Sequence, residues 1–132
     1  MNHHVFEPGQ GEPEEKGPEP VFNLPKEVVW LAGIMIVVFV LQAYVFSTAL
    51  NNDIIIYFAF WPVRYQPDVF ATGLAPGGLA ADIWTFVTYA FLHGGVAHIA
   101  FNMLWMIVFG SAVARRFGTF RFLIFSALCA AG

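Results

Sequence analysis

The chain has 132 residues, of which 58% are hydrophobic and 11% charged, with a mean hydropathy of +0.67. Soluble domains carry about 25% charged residues, so this composition excludes a water-soluble globule and specifies an integral membrane protein. A net charge of −3 leaves no basic footprint for nucleic acid, and the lone Cys129 has no partner for an intrachain disulfide.

Residues 1–27 are rich in Pro, Glu and Gly, including Glu7, Glu12, Glu14, Glu15 and Glu19. Such a stretch buries too little apolar surface to offset its ordering entropy, which predicts a disordered acidic tail. It lacks the basic start and short apolar core of a signal peptide. His3 and His4 form a possible metal pair, but two histidines in a tail are read as incidental.

Residues 28–50 contain no charge and one amide, Gln42. A bilayer core of ~30 Å needs about 20 apolar residues in a helix, so this run predicts the first span, entered at Pro25-Lys26 and left at Asn51-Asn52-Asp53. Residues 53–95 are too interrupted by Pro and Gly for one helix, and too aromatic for a solvated loop. Their Trp and Tyr suit a membrane–water interface, which predicts a structured outer loop. Residues 96–114 predict a second span that ends at Arg115-Arg116. Gly118 then gives a turn, and residues 122–132 start a third apolar run. Ten helical residues reach ~15 Å, about half the ~30 Å core, so the third span reads as incomplete and further spans are expected. Lys26, Arg115, Arg116 and Arg121 place the tail and the second turn on the cytoplasmic side.

Two polar residues stand out in the second span. His98 and Asn102 are four apart and share a helix face. Polar residues in a span often mark a functional path; the plain alternative is that they only bond a neighbouring helix, a contact worth ~0.6 kcal/mol on average. Spacing alone leaves both readings open. His93 and His98 are five apart with no Cys or carboxylate nearby in sequence, which argues against a metal site. Gly110 and Ala114 form a small-xxx-small pair that allows close helix approach. Ser47, Ser111 and Ser126 lack the setting of an activated nucleophile, and no nucleophile–base pair is visible.

The stretch from Trp84 through Phe91-Leu92-His93, His98-x-x-x-Asn102-Met103, Phe109-Gly110 and Arg115-Arg116-Phe117-Gly118 resembles the rhomboid family of intramembrane serine proteases. The resemblance covers residues 84–132, and the preceding span and loop agree in layout. It implies an all-α, rhomboid-like polytopic helical bundle, here truncated after about two and a half spans. In that family a serine on the fourth helix attacks a peptide bond within the membrane and a histidine on the sixth is its base. Neither is in this sequence, so the chain by itself is expected to be inactive. By the same match, His98 and Asn102 would stabilise the oxyanion, while His93 and Trp84 would be structural. Many members follow the tryptophan with arginine; here Thr85 stands, and Arg64 is available in its stead.

The implied partners are transmembrane protein substrates and the lipid bilayer, with no cofactor, and the implied location is a bacterial inner membrane. A rhomboid-like pseudoprotease that binds membrane proteins without cutting them is the alternative. An unrelated membrane protein using His98 and Asn102 as helix glue is a third.

Overall fold

The structure is a computed structural model and describes residues 23–131 apart from residue 74. The acidic tail therefore lies outside the described residues except for its last five, where the first helix already begins.

Helix α1 (Lys26–Val40) starts behind Pro25, whose carbonyl accepts from the amides of Val28 and Val29, and a π-helical turn (Leu41–Val45) extends it. Together they give 20 helical residues, most of them apolar, enough to cross a bilayer core. The helix stops at Phe46, which is extended, and not at Leu50 as the apolar run implied. Ser47 explains the early stop: its hydroxyl accepts the Leu50 amide at 3.3 Å and caps a new helix, α2 (Thr48–Phe58). Asn51, Asn52 and Asp53, read from the sequence as the exit, lie inside α2. The Gln42 side-chain amide donates to Asn51 at 3.0 Å and fastens the start of α2 to the end of the first span.

The segment between the spans is mostly helical. It contains a 3₁₀ turn (Pro62–Tyr65), α3 (Pro67–Thr72), α4 (Gly78–Thr88) and a second 3₁₀ turn (Tyr89–Phe91). Pro62 and Pro67 occupy first helical positions, where a missing N–H costs nothing and the fixed φ helps. Gly77 has φ 82°, and a Cβ there would lie 2.7 Å from the Ala81 Cβ, so backbone and space both require glycine. Rings of Phe60, Tyr65, Phe86 and Tyr89 pack at centroid distances of 5.1 to 5.9 Å and give the segment its own apolar centre.

Arg64 ties this segment together from within. It is 2% exposed, its guanidinium meets Asp82 at 3.2 Å, and it donates to the Pro76 carbonyl at 2.7 Å. Tyr65 donates to the Asp82 carbonyl at 2.8 Å and its hydroxyl lies 3.3 Å from that of Thr85. Thr85 is fully buried and also donates to the Ala81 carbonyl. The Trp84 indole donates to the Tyr57 carbonyl and Thr88 to that of Phe58, so α4 is strapped onto the end of α2.

Helix α5 (Val96–Trp105) continues through a π-helical turn (Met106–Gly110) into α6 (Ser111–Ala131). Gly118 breaks α6 with φ 76° and ψ 170°, a left-handed conformation that favours glycine. The arm beyond it brings Phe122 back against Val28 and Ala114, which form a small buried cluster with Leu31, Met106 and Val113 packed around it. A Cβ on Gly110 would lie 3.7 Å from the Phe122 ring, so Gly110 and Ala114 are small where the returning arm approaches. No strand occurs among the described residues. Large apolar side chains such as Trp30, Ile83 and Phe120 are more than 70% exposed; surfaces of that kind belong against lipid or other helices.

Candidate functional site

The polar residues of the second span are organised by the residues just before it. The chain leaves the 3₁₀ turn at Leu92 in extended conformation, and Gly94-Gly95 lead into α5. This leaves His93 outside the helix with its side chain turned into the protein, 8% exposed.

Both ring nitrogens of His93 are engaged. Nδ1 lies 3.1 Å from the Phe91 carbonyl, which only accepts, so Nδ1 carries the proton. Nε2 is therefore an acceptor, and the Asn102 side-chain amide donates to it at 3.0 Å. Burial, the largest influence, lowers the His93 pKa from 6.5; the Phe91 bond raises it and nearby His98 lowers it further. The result favours a neutral imidazole, the state in which Nε2 accepts.

His98 lies one helical turn before Asn102, with its ring centroid 5.1 Å from that of His93. His98 and Asn102 line a common groove of about 490 Å³ with Tyr89, Met106, Phe122 and Ser126. One Asn102 amide hydrogen is held by His93, and the second, with the exposed His98 ring, is free for a group in that groove. An amide N–H and an imidazole N–H side by side in an apolar groove can stabilise a developing negative charge on oxygen.

The structure thus brings His93, His98 and Asn102 together. Trp84 is elsewhere, bonded to Tyr57, and has no place in the groove. Sequence reasoning missed Tyr89, which lines the groove and donates to the Ala130 carbonyl at 2.6 Å; as one of many loop aromatics it carried no distinguishing signal. Among the described residues no three His, Cys, Asp or Glu side chains converge as a metal centre would need.

The fold and groove define an integral, helical membrane protein with a polar His–Asn pair on a membrane-spanning helix. Residues 80–132 match the rhomboid domain family. The chain is 37% identical over 49 residues to the rhomboid protease GlpG of Enterobacter sp. (strain 638), covering 37% of this chain and 18% of that protein. It is 29% identical over 97 residues to the GlpG of Klebsiella pneumoniae subsp. pneumoniae, covering 74% of this chain and 29% of that one. With the GlpG of Salmonella typhi it shares 24% identity over 103 residues, 78% of this chain and 32% of that one. The similarity is thus to the rhomboid domain over residues 80–132 and to rhomboid proteases over up to 78% of the chain. It spans between 18% and 32% of the length of these relatives. No solved structure matches it.

Proposed function

We propose that this chain is part of a rhomboid-type intramembrane serine endopeptidase that cleaves transmembrane segments of other membrane proteins. His98 and Asn102 supply the oxyanion donors, and a nucleophilic serine and base histidine come from outside residues 1–132. The 132 residues alone then have no cleavage activity. The basic residues Lys26, Arg115, Arg116 and Arg121 orient the N-terminus to the cytoplasm of a bacterial inner membrane.

The observation that carries this reading is the bond from Asn102 to His93. Helix glue would direct the amide to another span; here a neutral, buried histidine next to the span holds one amide hydrogen and leaves the other beside His98. Preorganisation of this kind is what an oxyanion site requires. Asn102 is held before charge develops and need not reorganise as it forms. When the scissile carbonyl becomes tetrahedral, its oxygen gains charge in the groove and takes hydrogen bonds from Asn102 Nδ2 and from the His98 ring. His93 touches neither substrate nor oxyanion, and acts by positioning Asn102.

The test is made in the full-length protein with a transmembrane substrate. Asn102→Ala and His98→Ala should each lower kcat about 10²–10³-fold, with the unfolding midpoint unchanged and the serine still labelled by a fluorophosphonate. Lost stability with unchanged turnover per folded molecule would return the pair to the role of helix glue. Wild-type protein that neither cleaves nor labels, yet retains transmembrane partners, would instead identify a pseudoprotease.

A further inference from the structure

We propose that the groove between the start of α1 and the arm of α6 beyond Gly118 is a binding site for an anionic phospholipid, holding its phosphate and the upper part of one acyl chain. The inference concerns the end of the molecule opposite the loop that carries His93, and does not depend on the cleavage chemistry.

The groove, of about 400 Å³, is lined by Lys26, Glu27, Trp30, Ile34, Thr119 and Leu123. Its chemistry changes along its length. At one end are an ammonium and a hydroxyl. The far end is aliphatic, reached after eight residues of α1, or about 12 Å at ~1.5 Å per residue. That is the polarity profile of a phospholipid lying along a helix. Trp30 sits between the two zones and is 73% exposed, the position and chemistry of an interfacial tryptophan.

Charge decides which lipid fits. Arg115 donates to the Asn23 carbonyl at 2.6 Å, which holds its guanidinium beside the entry to α1 and near Lys26. Arg116 and Arg121 flank Gly118, and all four basic side chains are exposed. Glu27 is the single carboxylate in the groove lining, and residues 96–132 contain no Asp or Glu. Among the described residues this excess of cations at the end of a membrane helix is offset in the groove by Glu27 alone, so a net-negative headgroup is favoured over a zwitterionic one. The phosphate would take the Lys26 ammonium, the remaining Arg115 donors and the Thr119 hydroxyl.

The experiment uses the full-length chain in phosphatidylcholine vesicles doped with phosphatidylglycerol or phosphatidylcholine brominated on the acyl chains. Tryptophan quenching is read, and the difference from Trp30→Phe isolates the signal at the groove. Brominated phosphatidylglycerol should quench Trp30 at a roughly tenfold or more lower mole fraction than brominated phosphatidylcholine. Lys26→Gln and Arg115→Gln should each reduce that preference roughly fivefold, and added salt should weaken it. Lys26→Arg, which keeps the charge, should retain it and so separates loss of charge from loss of structure. Equal quenching by the two lipids, or a preference that survives both Gln substitutions, overturns the proposal. A preference that appears only when residues 1–22 are deleted assigns the groove to the acidic tail and overturns it equally.

Discussion

Removing either member of the Arg64–Asp82 pair should destabilise the protein by different amounts, and burial says which costs more. Arg64 is 2% exposed and Asp82 12%, with 3.2 Å between them. Breaking a buried pair by deleting one partner costs about 3–5 kcal/mol, because a charge is left without compensation. Asp82→Leu leaves a guanidinium that cannot shed its charge, held only by the Pro76 carbonyl, and should lie at the upper end, about 4–5 kcal/mol. Arg64→Met leaves a carboxylate with some access to water and fills the vacated volume, so about 3 kcal/mol is expected. The double substitution removes both charges and should cost far less than the two singles combined, a coupling of roughly 2–3 kcal/mol. Equilibrium unfolding of the full-length protein in mixed micelles, followed by tryptophan fluorescence, measures all three. Additive singles, or singles each below about 1 kcal/mol, would refute the assignment of this pair as the clamp of the loop.

Other substitutions probe neighbouring features. Thr85→Arg, which restores the residue many rhomboids carry after the loop tryptophan, should destabilise by about 1–3 kcal/mol, since position 85 is fully buried and the local guanidinium is already supplied by Arg64; a melting temperature equal to wild type would contradict this. Gly77→Ala should cost more than Gly73→Ala in thermal melts, by about 1–2 kcal/mol. Both need a positive φ, but only at 77 does the added Cβ collide with Ala81. His93 gives a pH signature. Its folded pKa is lowered below 6.5, so the native state binds fewer protons than the unfolded one in the window between the two values. The stability it contributes is complete above 6.5 and falls as pH drops from there to the folded value. His93→Gln should abolish that part of the pH dependence in unfolding titrations, and an unchanged profile would show that His93 is not the group responsible.

Composition and charge made much of this fold legible. A charge-free run must be helical in lipid, and its presence in residues 28–50 was enough to place the first span. Its end was misread because apolar residues continue past the break; the stop is a capping event at Ser47, which hydropathy does not register. The segment before α5 was read as structured but too interrupted for one helix, and it is a series of short helical elements. Its prolines do interrupt, and what hydropathy did not register is that Pro62 and Pro67 also open the helical turns that follow.

At the site, helix periodicity put His98 and Asn102 on one face, but could not pair Asn102 with His93, which lies nine residues away and outside the helix. The Arg64–Asp82 contact, 18 residues apart and between two separate helical elements, had no periodic signal either. Only the family resemblance marked His93 as structural, and it did not say what His93 holds.

The wide turn at Met106–Gly110 has a bearing on insertions and deletions. A regular α-helix advances each side chain by ~100° about its axis, and a π-helical turn accommodates one residue beyond that schedule. It therefore sets the angular phase between the upper half of the helix, where His98 and Asn102 face the groove, and the lower half, where Ala114 meets the returning arm. Loss of a single residue from this turn would regularise the helix and leave the two halves in nearly the same phase, whereas loss of one from the regular turns of α5 would swing them by about 100° relative to each other. In the second case either the donor pair or the packing seam would face the wrong way, so the wide turn is the place where this helix can change its length by one.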